Sequence, residues 1–502
     1  MMSGTMALNV PGLLAMVGFY MLILGTGIYA SLRSRREEKK WTGHGLEITL
    51  LAGRKINLIV GIFTLTATWV GGGFILGIAE ATYNPTLGAV WALMPVPYVL
   101  TFFLGGFFFA KPMREKKYLT MMDPFQKKYG NGVATALIFP ALIADVLWVA
   151  RTLVSLGGTM RVILDLPYVY SILISSVVAI VYTLLGGLYS VAYTDVIQLS
   201  LILVSLALGG LAYQAFYQRI LASSSYTQAQ LTCFVSSSFC LVLGIPSILI
   251  GAVAASTNWN STAYGLPTPY ERGEAGSVLP IALQYLTPTY VSIIGIGAVA
   301  AAVMSSMDSA LLSSASLFSS NIYKNMIRKQ ASDYEMRLVI RISVVVVGLV
   351  GTGLCFLDSS VLVFWLVGVD MSFTIMFPQL VCVLFFEVSN SYGATMGLIV
   401  GVLMRALSGE PLIGLKPVIP YPGLRLNREN TLTQYFPFRT TIMLMSLLSI
   451  LLFSWLAVMI FDKKLLSKKW DVYHINSGRE SPEDNRAREN AVVSKRLMET
   501  SC

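Results

Sequence analysis

The sequence has few of the residues that carry out catalysis or hold metals. Of its 502 residues only 12% are charged, 5 are cysteine and 2 are histidine. The cysteines lack metal-ligand spacing, so neither a disulfide framework nor a zinc site is predicted. Both histidines, His44 and His474, lie in polar segments, and no residue group resembles an activated nucleophile. Because histidine is the commonest general base, we expect a protein that is not an enzyme and has no organic cofactor.

Nonpolar residues are abundant instead. They make up 55% of the chain and form runs longer than the roughly 20 residues that cross a bilayer. The sequence therefore predicts an all-α polytopic membrane protein with a transmembrane domain over 1–461 and a charged, disordered cytoplasmic tail over 462–502. The first run lacks a basic leader and a cleavage site, which indicates an anchor rather than a signal peptide. Candidate spans lie at 11–31, 57–81, 86–110, 132–158, 168–189, 196–217, 230–255, 279–305, 338–357, 361–386, 392–406 and 440–461.

The basic residues lie in particular loops beside these spans. The net charge is +10, but this clustering indicates positive-inside topology rather than nucleic-acid binding. The first span is followed by a basic segment at 33–40 and preceded by no charge, so the N-terminus should lie outside. The sequon that begins at Asn260 should face outside for glycosylation, and the basic loops at 324–337 and 463–469 should lie inside. These placements agree only if one crossing is absent near 196–217, if that stretch is re-entrant, or if the second half is inverted.

Three consecutive glycines interrupt the second predicted span, in the segment from Thr66 to Gly73. Each glycine weakens a helix by about 1 kcal/mol relative to alanine. Non-helical backbone at membrane depth is tolerated only where it is buried in protein or lines a cavity. In secondary transporters the carbonyl groups freed in this way coordinate sodium or protons. The segment therefore predicts a broken helix at an ion site.

A second segment, from Ala302 to Ser309, combines small residues with hydroxyl groups. Ser305 and Ser306 lie within about one helical turn of the Ala302 carbonyl, and Ser309 lies about one turn further on. A hard cation takes oxygen ligands of this kind. The alternative is that the serines bond back to their own helix. Charged residues within apolar segments are also functional candidates, and they are Asp145, Arg151, Asp195 and Asp308.

Asp308 is the strongest of these candidates because it adjoins the serines. Asp195 could instead cap a helix N-terminus, and the pairing of Asp145 with Arg151 remains open at a spacing of six residues. Trp69 and Trp148 lie away from the interfacial belts where tryptophan is common. Both could be core packing, but with Tyr213 they could also bind a quaternary ammonium group through cation–π attraction of about 0.5–2 kcal/mol per ring.

Together these segments resemble the sodium/solute symporter family, most closely its choline-transporting members, over about residues 11–475. The resemblance rests on the motifs at 66–73, 109–114, 122–126, 186–195, 302–309 and 435–438. It implies an inverted repeat of five plus five helices with discontinuous helices and flanking spans. It also implies sodium- and chloride-dependent uptake of choline, or a similar small organic cation, at the plasma membrane. In that role the protein would supply acetylcholine synthesis, at presynaptic terminals and synaptic vesicles.

The resemblance also implies the site residues. One sodium ion would bind backbone oxygens of Ala67, Val70 and Ala302 and the hydroxyls of Ser305 and Ser306. A further sodium position would use Asp195, Asp308 and Ser309. Choline would bind among Trp69, Trp148 and Tyr213, with tyrosine where the family usually has tryptophan.

The sequence departs from the family in several places. About fifty family residues are absent between Leu203 and Leu208, so about one span is missing, in agreement with the charge distribution. Phe74 and Leu76 replace tyrosine and asparagine, and Arg151 replaces a small residue and would repel a cation unless an acid neutralises it. The alternatives are a symporter for another small solute, or a shortened, transport-inactive chain that acts in an oligomer with a full-length partner.

Overall fold

The computed structural model describes residues 17, 18, 21, 47, 50–87, 93, 95–164, 166–181, 183–184, 213–358, 360–419, 421, 424–426, 432–434, 438–463 and 470–473. Most of the predicted spans at 11–31 and 196–217, Asp195 and nearly all of the tail lie outside these residues. The α-helices are α1 (Leu58–Trp69), α2 (Gly72–Tyr83), α3 (Pro95–Leu104), α4 (Ala110–Glu115), α5 (Asp123–Leu164), α6 (Tyr168–Val181), α7 (Gln214–Ala222), α8 (Tyr226–Ser256), α9 (Val278–Leu286), α10 (Thr289–Leu317), α11 (Asp333–Leu354), α12 (Val361–Met371), α13 (Phe377–Phe385), α14 (Ser391–Leu407) and α15 (Phe438–Asp462).

Three π-helical segments, Gly105–Phe109, Phe318–Ile327 and Ser372–Met376, continue or join these helices. The strands β1 (Leu424–Leu426) and β2 (Leu432–Gln434) form a short antiparallel pair. Polar side chains cap several helix starts. For example, the Asn57 side chain accepts a hydrogen bond from the Val60 amide at the start of α1, and Ser332 accepts one from Glu335 at the start of α11. Such caps satisfy amides that have no partner within the helix.

The protein is a multi-pass membrane protein. Within the described residues, six helical stretches are long and apolar enough to cross a membrane. The number of candidate spans is seven if the bent pair α1–α2 is counted as one span. In α5 and α10, 67% of the most apolar stretch is buried, against 28% in α15. The helices α5 and α10 therefore form the centre of the bundle, and most of α15 is left to face lipid.

The helices differ in extent from some predicted spans. The stretch at 279–305 contains two helices, because α9 ends at Leu286 and α10 begins after Pro288. The proline ring fixes its own backbone and supplies no amide to a helix. The helix α10 then continues through the serine-rich stretch to Leu317, and every residue from Val299 to Leu317 is buried. The serines are therefore helical and enclosed by protein.

Two polar contacts join elements that are distant in sequence. At the end of α2, the Glu80 carboxylate accepts hydrogen bonds from the Ser360 hydroxyl (2.6 Å) and the Leu362 amide (3.1 Å), at the start of α12. In the same helix the buried Asp370 Oδ2 lies 2.7 Å from Arg405 Nε of α14 and 3.2 Å from Arg439 Nε of α15. The helix α12 is thus tied to three other helices through charged groups.

Candidate functional site at the helix break

The helices α1 and α2 meet at a bend of 47°. Val70 and Gly71 between them have non-helical backbone, with ψ of 47° and −173°. The Val70 amide still donates to the Thr66 carbonyl at 2.8 Å. Among the described residues, however, no backbone amide donates to the carbonyl oxygens of Ala67 or Val70. These two predicted sodium ligands are therefore available to a cation.

The three glycines allow neighbouring helices to contact the break. A Cβ atom on Gly71 would lie 1.9 Å from Ser306 Cβ of α10. On Gly72 it would lie 2.5 Å from Ser155 Cβ, and on Gly73 2.8 Å from Arg151 Cδ, both in α5. Carbon atoms do not approach this closely, so a side chain at any of these positions would require the neighbouring residue or the break to shift. The break is consequently packed directly against α5 and α10.

Ser306 joins the break to the aromatic residues. Its hydroxyl oxygen accepts a hydrogen bond of 2.9 Å from the Trp148 indole nitrogen. Ala302, Ser305 and Ser306 are all buried on α10, and Val303 of the same turn faces Gly72. The structure thus places Ser306, one of the predicted α10 ligands, directly against the helix break.

The further sodium position has a different environment. Asp308 Oδ1 accepts a hydrogen bond of 2.8 Å from Thr183. The Ser309 hydroxyl donates to the Ser305 carbonyl at 3.0 Å, so it bonds back to its own helix. It also accepts a hydrogen bond of 2.6 Å from the guanidinium group of Arg219, which is buried on α7. This fixed positive charge opposes a second cation at Ser309.

Arg219 was not predicted from the sequence, because it lies two residues beyond the apolar segment at 196–217. Asp195, the third proposed ligand of this position, lies outside the described residues.

The three aromatic residues predicted to bind the ammonium group, Trp69, Trp148 and Tyr213, lie together and are buried. The ring centroids of Trp69 and Trp148 are 4.9 Å apart, and Tyr213 lies 5.8 Å from Trp69 and 5.0 Å from Trp148. The rings contact one another, so a solute can enter between them only when they separate. Three further rings lie within 6.4 Å of Trp69, those of Tyr98, Phe102 and Phe216.

A second aromatic group adjoins the first and was not predicted. Tyr98 packs against Phe74 at 4.3 Å and against Trp365 of α12 at 5.4 Å. Arg151 bridges the two groups, because its guanidinium carbon lies 4.8 Å from the Trp148 ring centroid and 6.0 Å from that of Trp365. Trp365 lies only four residues inside the predicted span at 361–386, near the membrane interface where tryptophan is common, so it did not give the signal that Trp148 gave.

The remaining predicted residues lie at defined places. Asp145 is buried in α5, and its Oδ2 accepts a hydrogen bond of 2.7 Å from Ser313 of α10. No ion pair joins it to Arg151 in the part of the chain that the structure describes. Asn260 is exposed in a 3-10 turn, Trp259–Ser261, that follows α8. It is therefore sterically accessible to modification.

Known proteins are similar to this chain in sequence and in fold. The human high affinity choline transporter 1 is 43% identical to this chain over 531 residues, which cover 95% of this chain and 90% of the relative. The Drosophila melanogaster high-affinity choline transporter 1 is 41% identical, over 93% of this chain and 81% of its own length. A solved structure of a Na+-coupled sialic acid symporter matches with a TM-score of 0.67 and 16% identity, over 89% of this chain and 98% of that one. This last match shows the fold alone.

The alignments are consistent with the absence of family residues from this chain. The alignment with the human relative runs over 531 residues, more than the 502 in this chain. The sequence model of the sodium:solute symporter family matches in two parts, residues 50–209 and 201–401. The two parts overlap at 201–209, where about fifty family residues are expected to be absent. Together the two parts cover more than half of the chain. The protein therefore belongs to the sodium:solute symporter family.

Proposed function

We propose that this protein takes up choline across the plasma membrane by sodium-coupled alternating access. The relatives that are about 40% identical over nearly the whole chain are choline transporters by name. Aromatic rings of the kind found around Trp69 bind quaternary ammonium groups through their π faces. Chloride dependence, the supply of acetylcholine synthesis and a location at presynaptic terminals and synaptic vesicles are part of this proposal through the resemblance. The protein is accordingly proposed to be a transporter and not an enzyme.

The observation that carries the proposal is the position of Ser306. This residue packs against Gly71 at the helix break, and its hydroxyl accepts the indole hydrogen bond of Trp148. A sodium ion held by the Ala67 and Val70 carbonyls would share this hydroxyl with the aromatic cluster. Because one side chain then belongs to both sites, sodium would favour the indole orientation that the solute needs. Coupling of this kind is reciprocal, so choline would raise the affinity for sodium by the same factor.

The transport direction follows from charge. Sodium and choline are both cations, and the membrane potential contributes about 2.3 kcal/mol per charge per 100 mV. Inward movement of the pair is therefore favoured. The closed arrangement of the Trp69, Trp148 and Tyr213 rings implies that they separate to admit choline and close again behind it.

The test is uptake of tritiated choline in cells that express the protein, with external sodium varied against an inert cation. The variant Ser305→Ala with Ser306→Ala should lose sodium-dependent uptake, or need at least tenfold more sodium. Ser314→Ala is the matched control, because the Ser314 hydroxyl bonds back to the Ala310 carbonyl of the same helix at 3.0 Å. If the double variant kept the wild-type response to sodium, the site assignment would be wrong. If the wild type reached the surface without sodium-dependent uptake, the alternative of a transport-inactive chain would be favoured.

A further inference from the structure

Arg151 is a buried cation that is paired with no anion in the described part of the chain. Its side chain lies in the centre of the bundle, and the residue is only 5% exposed. Its Nε atom is fully buried and has no hydrogen-bond partner among the residues that the structure describes. Within the described residues the guanidinium group forms no ion pair, and its recorded contacts are with the rings of Trp148 and Trp365. Burying a charge in this way is costly unless it is paired.

The neighbouring groups only partly offset this cost. A cation–π contact contributes about 0.5–2 kcal/mol, which is less than the several kcal/mol that burial of an ion costs. Asp145 is the nearest acid on the same helix, but six residues correspond to a rise of about 9 Å. One of its carboxylate oxygens already accepts the Ser313 hydroxyl. The charge on Arg151 therefore calls for an anion from elsewhere.

The position of Arg151 indicates that the anion belongs to the solute. The guanidinium lies on Trp148, one of the rings proposed to hold the quaternary ammonium group, and its stem contacts Gly73 at the helix break. The indole Nε1 of Trp69, whose ring packs against Trp148 at 4.9 Å, is also buried without a hydrogen-bond partner among the described residues. Guanidinium and indole groups donate hydrogen bonds and accept none. A ligand that satisfies both must supply acceptor oxygens, and a carboxylate matches the two-pronged geometry of a guanidinium.

We propose that the preferred solute carries a carboxylate together with its quaternary ammonium group, as glycine betaine does, and that Arg151 selects it over choline. The inference rests on the proposed function, since it keeps sodium-coupled uptake and the aromatic site for the ammonium group. Choline would bring a second positive charge next to Arg151. A trimethylammonium carboxylate would instead place its positive end on the rings and its negative end on the guanidinium, so that each charge is paired.

The experiment compares uptake of labelled glycine betaine and labelled choline, each with and without sodium. In the wild type we expect kcat/KM for glycine betaine to exceed that for choline at least tenfold, and unlabelled betaine to inhibit choline uptake. Arg151→Met keeps the apolar stem without the charge, and it should lower betaine uptake at least tenfold and raise choline uptake. Arg161→Met is the matched control on the same helix, because Arg161 is partly exposed and paired with Glu274 at 2.7 Å. It should leave the preference unchanged.

Replacing external chloride by gluconate separates a carboxylate on the solute from a free anion. Betaine uptake that persists without chloride supports the proposal. Choline uptake that requires chloride in the wild type but not in Arg151→Met would show that a free anion pairs with Arg151, and would overturn it. Sodium-dependent choline uptake with neither transport of betaine nor inhibition by it would overturn this inference alone. The absence of sodium-dependent uptake of either solute would overturn the proposed function as well. The inhibition measurement needs only the wild type, so it decides even if the variants fail to fold.

Discussion

Gly71→Ala tests the packing of the helix break against α10. Gly71 has extended backbone, with φ of −100° and ψ of −173°, which alanine adopts without strain. The added methyl group would lie 1.9 Å from Ser306 Cβ and 2.3 Å from its hydroxyl oxygen, whereas real contacts of a Cβ atom exceed 3.0 Å. The break must therefore move by more than 1 Å away from Ser306. Overpacking of this kind costs about 1–3 kcal/mol.

A displacement of this size separates the Ala67 and Val70 carbonyls from the α10 hydroxyls. Since about 1.4 kcal/mol corresponds to a factor of ten in an equilibrium constant, the sodium concentration for half-maximal uptake should rise roughly tenfold. The assay is solute uptake against sodium concentration, with surface delivery measured by biotinylation. The thermal unfolding of the purified protein should also respond less to sodium than that of the wild type.

Gly353→Ala is the control for this experiment, because no atom lies within 4 Å of a Cβ placed there. The double variant Gly71→Ala with Ser306→Gly removes the clash but also the hydroxyl group. It should recover stability without recovering the sodium response. A Gly71→Ala protein with wild-type sodium dependence would refute the assignment of the break as the sodium site.

Three further predictions follow from single contacts. Trp148→Phe keeps a ring but removes the hydrogen bond to Ser306, worth about 0.5–1.5 kcal/mol, so sodium affinity should fall a few-fold, and an unchanged sodium titration would contradict the coupling. Asp370→Asn leaves the buried Arg405 with one acidic partner fewer and should lower the free energy of unfolding by about 3 kcal/mol. A melting temperature within about 1–2 °C of the wild type corresponds to a change in that free energy of only a few tenths of a kcal/mol, and it would show that the ion pair is not stabilising. Asn260→Gln should abolish a glycosidase-sensitive mobility shift on gels, and the absence of any shift in the wild type would contradict external exposure of this loop.

Much of the fold followed from the sequence, because nonpolar runs and glycine are strong local signals. The prediction of an all-α membrane fold with a discontinuous helix is confirmed by the family match and by the similarity to a solved symporter. The position of the break was less predictable. Three glycines suggested that the break comprises all of them, but Gly72 and Gly73 already belong to α2. A side chain on Gly72 would overlap Ser155, and one on Gly73 would displace the Arg151 side chain, which only the tertiary structure reveals.

The site was predictable only in part for the same reason. Trp69, Trp148 and Tyr213 are distant in sequence; the position of the two tryptophans away from the interfacial belts suggested the group and the family resemblance implied it, and the structure places the three rings in contact. The sequence offered no comparable reason to add Tyr98 or Trp365 to them. Arg219 shows the opposite limit, since it lies in a short helix beyond the end of the predicted span at 196–217 and yet is buried. Its charge becomes relevant only through the contact with Ser309, which is ninety residues away.

The Glu80 contact has a mechanical consequence. Two hydrogen bonds accepted by one carboxylate join the C-terminal turn of α2 to the start of α12, so a tilt of one helix moves the other unless both bonds break. Trp365 lies in the next turn of α12 and packs over Arg151. A hinge movement at Gly71 would therefore also shift the Trp365 ring relative to Arg151, and α2 and α12 would move together as one rigid unit.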